Sequence, residues 1–380
     1  MKIISVEPIV LQYKLDNQHK FACSQEWCND RTIMILKLKT DEGITGWGEA
    51  TGPAFVHKTI IDLEYAPKLV GMDPFESELI WENLYNCLQD HGQKGVAIEA
   101  LSAIDIALWD IKSKALNMPL YRLLGGAFRE KIKPYATGLY HRESNDIKGE
   151  LVREALTYVE QGFLGIKLKV GFERIEHDIK KVEAIRKAIG DNINLMIDAN
   201  HAYNAKDAIK LGKKVEEFNI TWFEEPVPPE DINGYIEVKN NINIPIAGGE
   251  AEFTRYGFHE LINKRAIDII QPDNCMMGGP SEYKKITTLA SINNIQCTPH
   301  IWGSSIALAV GMQMAFSQPD FPKSLNPQEV WLELDRTPNI FREELSLIKP
   351  EMKNGYIYLP KEPGLGILIN DKIIEQYRIA

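Results

Sequence analysis

Short apolar runs recur through the middle of the chain, and each ends in a polar or charged side chain. Three of these runs end in Asp198, Glu224 and Glu250, which follow one another at intervals of 26 residues. An interval of about 25–30 residues is what one strand, one helix and two short loops occupy in a parallel α/β protein. The pattern therefore predicts consecutive parallel strands with a carboxylate at the carboxyl end of each.

The same spacing continues on both sides of these three runs. Upstream, the run 163–170 carries Lys167 and Lys169, and downstream two further runs end in Asp273 and His300. Six consecutive strand ends therefore carry chemically active side chains. Because the carboxyl ends of the strands form the active-site face of a parallel α/β barrel, we expect one barrel face to carry all of these groups.

The regions that flank this repeat follow a different pattern. Apolar and polar residues alternate over 32–40, turn residues follow at 41–43, and a second strand at 45–50 completes a predicted hairpin. Helical spacing follows at 97–115, residues 131–137 have the pattern of the first barrel strand, and strand and turn character returns at 355–366. We expect an α+β capping domain over 1–125 and a barrel over 126–325. The last barrel strand and a segment that packs back on the capping domain are expected over 326–380.

Composition excludes several classes of protein. A formal net charge of −10 disfavours nucleic acid or an anionic membrane as a partner. No apolar stretch approaches the roughly 18 residues that a membrane span needs, and the pattern of the first residues leads us to expect a strand and not a signal peptide. The five cysteines lack zinc-ligand spacing and are interpreted as reduced thiols. These features predict a cytoplasmic location.

The converging acids predict a metal site. Three carboxylates at one face repel one another unless a cation lies between them, and oxygen-only ligation suits a hard ion such as Mg²⁺. We therefore assign Mg²⁺ to Asp198, Glu224 and Glu250; Glu224 is chosen over its neighbour Glu225 because it keeps the interval of 26 residues. A further acid, Glu333, either closes the ring of strand ends or lies at the surface.

The lysines and the histidine predict acid–base chemistry. Lys167 and Lys169 are two residues apart on a strand, so both point to one face, either inward to a site or outward as a solvated stripe. If both point inward, each ammonium lowers the pKa of the other towards the range of a base. Asp273 and His300 end adjacent strands, where the carboxylate would orient the imidazole and raise its basicity. Asn200 either binds a substrate oxygen or shapes its loop.

Together these motifs resemble the mandelate racemase subgroup of the enolase superfamily. The shared pattern comprises Lys-x-Lys at 167–169, Asp-x-Asn at 198–200, Glu-Glu-Pro at 224–226, Gly-Gly-Glu at 248–250 and the Asp273/His300 pair. It extends to segments 103–110 and 363–366, so that the resemblance covers essentially the whole chain.

The resemblance implies an α/β fold, a modified (β/α)₇β TIM-like barrel with an N-terminal α+β capping domain that the C-terminal tail completes. It also implies a homo-oligomer and a site of defined composition. That site is Mg²⁺ on Asp198, Glu224 and Glu250, Lys169 facing the His300–Asp273 dyad across the substrate, Lys167 as an auxiliary lysine, and Glu333 as the acid that hydrogen-bonds the substrate carboxylate.

Within the subgroup the chain is most similar to cycloisomerases that open acid-sugar lactones. The similarity lies in segments 89–95, 134–138, 198–201, 222–227 and 334–339. Specificity in such enzymes resides largely in loops of the capping domain, here 14–30 and 51–58. We expect substrate contacts from Trp27 in the first loop, from Tyr135 and from Asn200.

The expected reaction removes the proton α to the carboxylate of an acid sugar or its lactone. The cation stabilises the resulting enediolate, and loss of the β-oxygen gives a 3-deoxy-2-keto acid. Lys169 is the expected base and His300 the acid, and the roles exchange if the α-carbon has the opposite configuration. Three alternatives stay open: a dehydratase of an open-chain sugar acid, a racemase or epimerase, and, from a different class, a catalytically silent sugar-acid or metal-binding protein.

Overall fold

The chain builds an N-terminal α+β region followed by a barrel, and the computed structural model describes residues 1–320, 324–325 and 327–380. The N-terminal region contains a three-stranded antiparallel sheet in the order Ile3–Lys14, Asp30–Thr40 and Thr45–Ala50, a short two-stranded hairpin, and a layer of helices. Its elements are β1 (Ile3–Lys14), β2 (Phe21–Ala22), β3 (Trp27–Cys28), β4 (Asp30–Thr40), β5 (Thr45–Ala50), α1 (Ala54–Ile60), a π-helical turn (Ile61–Tyr65), α2 (Ala66–Leu69), α3 (Ser77–Cys87), α4 (Val96–Ala115) and α5 (Leu120–Leu123).

The strand β5 is fixed between α4 and the barrel by its alternating side chains. Gly46 and Gly48 face α4, and a Cβ atom at Gly48 would lie only 1.9 Å from the carbonyl oxygen of Ala103. Glycine is therefore required for the strand to lie directly against the helix. Because successive side chains of a strand point to opposite faces, Trp47 and Glu49 are directed towards the barrel.

The barrel follows with strands and helices in strict alternation. Its elements are β6 (Lys131–Thr137), α6 (Ile147–Glu160), β7 (Gly165–Lys169), α7 (Ile175–Ile189), β8 (Asn194–Asp198), α8 (Ala205–Val215), a 3₁₀ turn (Glu216–Phe218), β9 (Ile220–Glu224), α9 (Ile232–Asn241), β10 (Ile246–Gly248), α10 (Thr254–Asn263), β11 (Ile269–Ile270), α11 (Gly279–Ile292), β12 (Gln296–Cys297), α12 (Ser305–Ser317) and β13 (Trp331–Asp335).

All eight of these strands in the described part of the chain are parallel. Each strand from β6 to β11 pairs with its successor, and β13 returns to pair with β6 along Trp331–Asp335. Seven helices connect the eight strands, which confirms the predicted (β/α)₇β barrel. All the carboxyl ends consequently lie on one face.

Large apolar side chains fill the barrel interior one layer below that face. Met196, Trp222 and Trp331 are members of a buried cluster, and each lies two residues before an acid. Because a strand repeats its facing every two residues, Asp198, Glu224 and Glu333 also point inward, one layer closer to the carboxyl ends. Strand geometry thus brings acids from separate segments together. The cluster consists of Tyr135, Met196, Trp222, Ala247, Ile269 and Trp331.

The C-terminal tail returns to both parts of the molecule. Its elements are α13 (Ile340–Glu344), β14 (Met352–Lys353), β15 (Tyr356–Tyr358) and α14 (Asp371–Tyr377). β15 pairs antiparallel with the start of β6, and the backbone of Val10 in β1 bonds to Ile379 and Ala380 at 2.9 Å each. The tail therefore completes the capping domain as predicted. The domain boundaries stay a prediction. The boundary between 325 and 326 adjoins residue 326, which lies outside the described residues.

The helices of the described residues differ in how much of their surface is apolar. α12 is buried on almost every side, in keeping with its nearly uniform apolar sequence. Still, none of the helices in the described ranges is both long and apolar enough to cross a membrane.

Candidate active site

Three carboxylates converge at the carboxyl ends of neighbouring strands. Asp198 ends β8, Glu224 ends β9 and Glu250 follows β10, and one oxygen atom from each lies within 4.8 Å of those of the other two. Asp198 and Glu224 are fully buried, whereas 18% of the Glu250 side chain is exposed. Trp222 Nε1 and Gln271 Nε2 donate to the same oxygen of Glu224 at 2.8 and 2.7 Å, which fixes the direction of that carboxylate.

Burial and mutual repulsion perturb these acids. Burial raises the pKa of Glu224 to about 7, and the neighbouring Asp198 adds to the rise while Lys167 opposes it. Burial would also raise the pKa of Asp198, but Lys169 and Lys167 more than offset it and hold that pKa below its ordinary range. The site accumulates negative charge that its lysines balance only in part.

The donor set fits a hard divalent cation. All three groups offer oxygen, the ligand that Mg²⁺ prefers. The buried Oε2 atom of Glu250 has no hydrogen-bond partner, although His300 Nε2 lies 3.4 Å away, and a buried carboxylate oxygen without a hydrogen bond is costly. A cation held by Asp198, Glu224 and Glu250 would satisfy this atom and remove the repulsion within the trio.

The two lysines point inward, so the solvated-stripe alternative is wrong. Lys167 Nζ lies 2.5 Å from Glu224 Oε1 and 2.9 Å from Glu333 Oε1. Lys169 Nζ lies 2.5 Å from Asp198 Oδ2 and donates to Asn200 Oδ1 at 2.9 Å. Each lysine therefore contacts a carboxylate of the trio.

The expected lowering of the lysine pKa values is also wrong for the metal-free chain. Burial lowers the pKa of Lys169, but Asp198 stabilises the ammonium and the net pKa is raised well above its ordinary value. The same balance, with Glu224 and Glu333 as the leading partners, raises the pKa of Lys167. The nearby carboxylates therefore outweigh both burial and the repulsion between the two ammonium groups. A divalent cation shared by those carboxylates would weaken this stabilisation and bring Lys169 closer to the range of a base.

The predicted dyad forms on the other side of the trio. His300 and Asp273 are joined by a parallel β-bridge, and His300 Nδ1 donates to Asp273 Oδ2 at 2.6 Å. The other ring nitrogen, Nε2, lies 3.4 Å from Glu250 Oε2. Burial lowers the pKa of His300, but the surrounding acids, led by Glu250 and Glu333, raise it to about 10. In the metal-free chain the imidazole is therefore held protonated.

Glu333 lies inside the barrel and not at the surface. It is 1% exposed and accepts from Thr137 Oγ1 at 2.5 Å and from the backbone N–H of Ile301 at 2.9 Å. Burial raises its pKa, but Lys167 and His300 together lower it to about 2. A carboxyl group with a lowered pKa thus lies between the auxiliary lysine and the dyad, and its predicted contact with a substrate stays a prediction.

Glu225 turns away from the trio, as expected if Glu224 and not Glu225 is the metal ligand. Its backbone adopts the left-handed φ of 45°, which is rare for a side chain of this kind, and neither carboxylate oxygen is hydrogen-bonded. The side chain is buried, and its carboxylate lies 3.1 Å from His201 Nε2. Burial raises the pKa of Glu225 well above its ordinary value, and the charge of Glu250 adds to the rise. Asn200 and His201 also have positive φ, so backbone strain is concentrated beside the trio.

The three predicted substrate contacts lie at different depths. Asn200 is at the catalytic face and bonds Lys169. Trp27 is part of the β2–β3 hairpin, 36% exposed, with its ring centroid 6.0 Å from that of Phe172. Tyr135 is fully buried in the apolar layer below the trio, and its ring centroid is 5.6 Å from Lys167 Nζ. Their contacts with a substrate stay predictions.

Several residues that shape the site were missed by sequence reasoning. Trp222 and Gln271 orient Glu224, and Thr137 orients Glu333. The signal was available in part, because Gln271 lies two residues before Asp273 on an inward-facing register. Trp222 and Thr137 lie within short strand patterns, and nothing in those patterns indicates a bond to a carboxylate of the site.

The arrangement places acid–base groups at opposite ends of one carboxylate trio. Lys169 contacts the Asp198 end and His300 the Glu250 end. A carboxylate-bearing substrate held at the trio would present one face of its α-carbon to the lysine and the other to the imidazole. Such a site can remove a proton on one face and deliver one on the other.

Comparison with known proteins identifies the family to which these features belong. The model of the mandelate racemase/muconate lactonizing enzyme N-terminal domain matches residues 9–125, and the model described as enolase C-terminal domain-like matches residues 150–373. D-galactarolactone cycloisomerase of Agrobacterium fabrum is 41% identical over 380 residues, which is 100% of this chain and 99% of the relative.

Two solved structures extend the comparison. The 3,6-anhydro-D-galactonate cycloisomerase from Zobellia galactanivorans is 44% identical, with a TM-score of 0.91 and 100% of both chains covered. A variant of L-talarate/galactarate dehydratase from Salmonella typhimurium LT2, liganded with Mg and L-glucarate, is 28% identical with a TM-score of 0.88, covering 100% of this chain and 92% of the other.

Proposed function

This chain belongs to the mandelate racemase/muconate lactonizing enzyme family of the enolase superfamily, and we propose that it is a Mg²⁺-dependent acid-sugar cycloisomerase. The substrate is a cyclic acid sugar whose ring oxygen is attached β to a free carboxylate. The observation that carries the proposal is the placement of Lys169 and the His300–Asp273 dyad at opposite ends of the carboxylate trio. The two cycloisomerases at 41% and 44% identity support ring opening over other reactions of the family.

The residues of this chain divide the reaction between them. Asp198, Glu224 and Glu250 hold the cation, which when bound supplies positive charge beside the substrate carboxylate and acidifies the adjacent α C–H bond. Lys169 takes the α-proton, and the C–H electron pair forms the enediolate. When the enediolate collapses, a C=C bond forms between the α- and β-carbons as the bond from the β-carbon to the ring oxygen breaks. The resulting enol tautomerises to a 2-keto acid that is an isomer of the substrate.

His300 completes the proton balance on the opposite face. An ether oxygen leaves as an alkoxide and needs a proton, which the protonated imidazole delivers. A lactone oxygen leaves as a carboxylate and needs none. Proton delivery by the dyad is therefore indispensable for an ether ring and is not required by the leaving oxygen of a lactone.

Dehydration of an open-chain sugar acid is the second candidate function. The 28% identical dehydratase structure, with Mg and L-glucarate bound, favours it, and the same residues would expel a β-hydroxyl group in place of a ring oxygen. The identity over the full chain is higher for the cycloisomerases, and we therefore rank ring opening first.

Substrate panels separate these reactions. The purified chain with Mg²⁺ is assayed against aldarolactones, 3,6-anhydroaldonates, aldarates and aldonates, with 2-keto acid formation followed in parallel with NMR in D₂O. Product from ring compounds alone supports the cycloisomerase, and product from open-chain acids alone makes the chain a dehydratase. Deuterium at the α-carbon without product indicates a racemase or epimerase. Ligand binding with neither outcome indicates a silent binding protein.

The proposal extends to the partner, the oligomeric state and the location of the enzyme. A small-molecule carboxylate is the partner, and the chain acts as a homo-oligomer in the cytoplasm. All five cysteines are unpaired, as expected in a reducing compartment. Size-exclusion chromatography with light scattering tests the oligomer.

A further inference from the structure

The segment that follows His300 is held by the capping domain as well as by the barrel. His300 is followed by Ile301, Trp302, Gly303 and Ser304, and Ser304 is the N-cap of α12. The N–H of Ile301 donates to Glu333, and the carbonyl of Gly303 accepts from Arg342 Nη2 at 2.7 Å. These contacts with the barrel strand β13 and the tail helix α13 hold Ile301 and Gly303.

Glu49 of the capping domain holds the far end of this segment. Its Oε1 accepts from the N–H of Ser304 at 2.9 Å, and its Oε2 accepts from Ser304 Oγ at 2.5 Å and from the N–H of Ala307 at 3.1 Å. Glu49 is 0% exposed, and a Cβ at Gly303 would lie 2.6 Å from its Oε1. These three hydrogen bonds tie the capping domain to the start of α12. Without the three donors, burial of the Glu49 carboxylate would be costly.

Thr51 bridges the two loops that carry the dyad. Its hydroxyl donates to the carbonyl of Trp302 at 3.1 Å, and its N–H donates to the carbonyl of Cys275 at 3.3 Å. Trp302 lies two residues after His300, and Cys275 lies two residues after Asp273. The N–H of Cys275 also donates to Asp273 Oδ1 at 2.7 Å. Thr51 therefore bonds the residue two positions after His300 and also the residue two positions after Asp273.

We propose that Glu49 and Thr51, which we call the dyad clip, are positioning residues that set the alignment of His300 with Asp273. The inference deepens the proposed function, on which it rests. The 2.6 Å bond between His300 and Asp273 joins two short loops. The dyad clip bonds the backbone of both loops from the capping domain, outside the barrel. The capping domain then contributes to proton delivery without touching the substrate, through the backbone beside the acid.

The test compares variants of Thr51 in the full chain with Mg²⁺. Thr51→Val removes the hydroxyl bond to Trp302 at constant shape, and Thr51→Ser restores it. Thr59→Val is the matched control, because Thr59 is exposed and its hydroxyl bonds only the carbonyl of Phe55 within its own helical segment. In ¹⁵N-histidine-labelled protein the downfield Nδ1–H signal of His300 is assigned by its loss in His300→Asn.

Thr51→Val is expected to shift or broaden that signal and, with a 3,6-anhydroaldonate, whose ether oxygen needs the proton from His300, to lower kcat by about tenfold with KM unchanged within about twofold, since small displacements of a catalytic group are costly. Thr51→Ser and Thr59→Val should retain both the signal and kcat. An unchanged signal and kcat in Thr51→Val overturn the clip, and so does a loss confined to KM. If Thr51→Val does not fold, Glu49→Gln is measured by the same criteria. The NMR result needs no substrate, so a chain that lacks cycloisomerase activity would refute the proposed function and leave the clip testable.

Discussion

At the scale of single residues, neighbours in sequence have separate roles because they face different partners. Lys167 lies among Glu224 and Glu333, whereas Lys169 contacts Asp198 and the amide of Asn200. Lys169 lies nearest the catalytic face, with 9% of its side chain exposed against 1% for Lys167. The lysine with access to a substrate is therefore the one assigned as base.

Removing that lysine tests the assignment. Lys169→Ala is expected to lower turnover by about 10²-fold or more, because Lys167, whose Nζ lies 3.4 Å from Asp198 Oδ2, is 1% exposed and held by Glu224 and Glu333. Its unfolding in urea, measured with saturating Mg²⁺ to balance the uncovered charge of Asp198, should stay close to that of the unaltered chain. Lys213→Ala, at an exposed position of α8, is the control. Normal turnover by Lys169→Ala would remove Lys169 from the role of base.

The choice between two adjacent glutamates is a second residue-scale prediction. Glu224→Gln should weaken Mg²⁺ binding at least about tenfold, since a direct ligand is expected to matter no less than an outer-shell partner. Glu225→Gln, which replaces the buried carboxylate that turns away from the trio, should change the affinity by less than about threefold. Isothermal titration calorimetry measures both. Unchanged affinity in Glu224→Gln would transfer the ligand role to Glu225.

At the scale of elements, a buried acid joins helix α4 of the capping domain to helix α11 of the barrel. Asp105 in α4 accepts from the backbone N–H and the hydroxyl of Ser281 in α11, each at 2.8 Å. Burial raises the pKa of Asp105 to about 7, and the bonds from Ser281 only partly oppose the rise. The joint therefore titrates near neutrality.

This joint predicts a pH dependence of stability. Between about pH 4 and 7 the folded state keeps a proton on Asp105 that the unfolded state has lost, so the free energy of unfolding falls as pH rises and levels off above about 7. For one proton the slope is at most about 1.4 kcal/mol per pH unit. Asp105→Asn lacks this contribution. Urea unfolding at pH 5, 6, 7 and 8 should show a difference between the two proteins that declines with pH, and a constant difference would contradict the raised pKa.

At the scale of the whole molecule, the capping domain and the barrel meet through buried charge as well as apolar contact. Arg31 in β4 pairs with Asp335 Oδ2 at 3.2 Å, bonds Thr337 Oγ1 and the carbonyl of Pro338, and stacks over the ring of Trp302 at 4.4 Å. Its side chain is 6% exposed. One guanidinium thus ties the N-terminal sheet to the end of β13 and to the loop after His300.

Arg31→Met is expected to destabilise the chain by about 3–5 kcal/mol, because it leaves Asp335 without the charge that compensates its burial. Arg378→Met is the matched control, since Arg378 pairs with Glu7 at an exposed joint between the tail and β1, where the loss should be below about 1 kcal/mol. Urea unfolding of both variants gives the comparison. Equal losses in the two variants would show that the buried pair is not what holds the domains together.

The sequence by itself determined the barrel and most of its catalytic face. Runs that end in Asp198, Glu224, Glu250, Asp273 and His300 recur at one strand–helix interval, and parallel strands bring such ends to a single face whatever the details of packing. The C-terminal completion of the capping domain was also predicted, through the resemblance that the motifs carried.

Only the tertiary structure decided the pKa values of the site residues and the contacts between the capping domain and the barrel. The pKa of Lys169 depends on its 2.5 Å contact with Asp198, and the interval along the chain gives no such distance. Gln271 and Thr137 became site residues, and Glu225 turned away, through local facing and backbone conformation. Glu49 meets Ser304 across 255 positions of sequence. A periodic pattern fixes which strand ends share a face, whereas the short distances that set charge and alignment arise from packing between elements far apart in the chain.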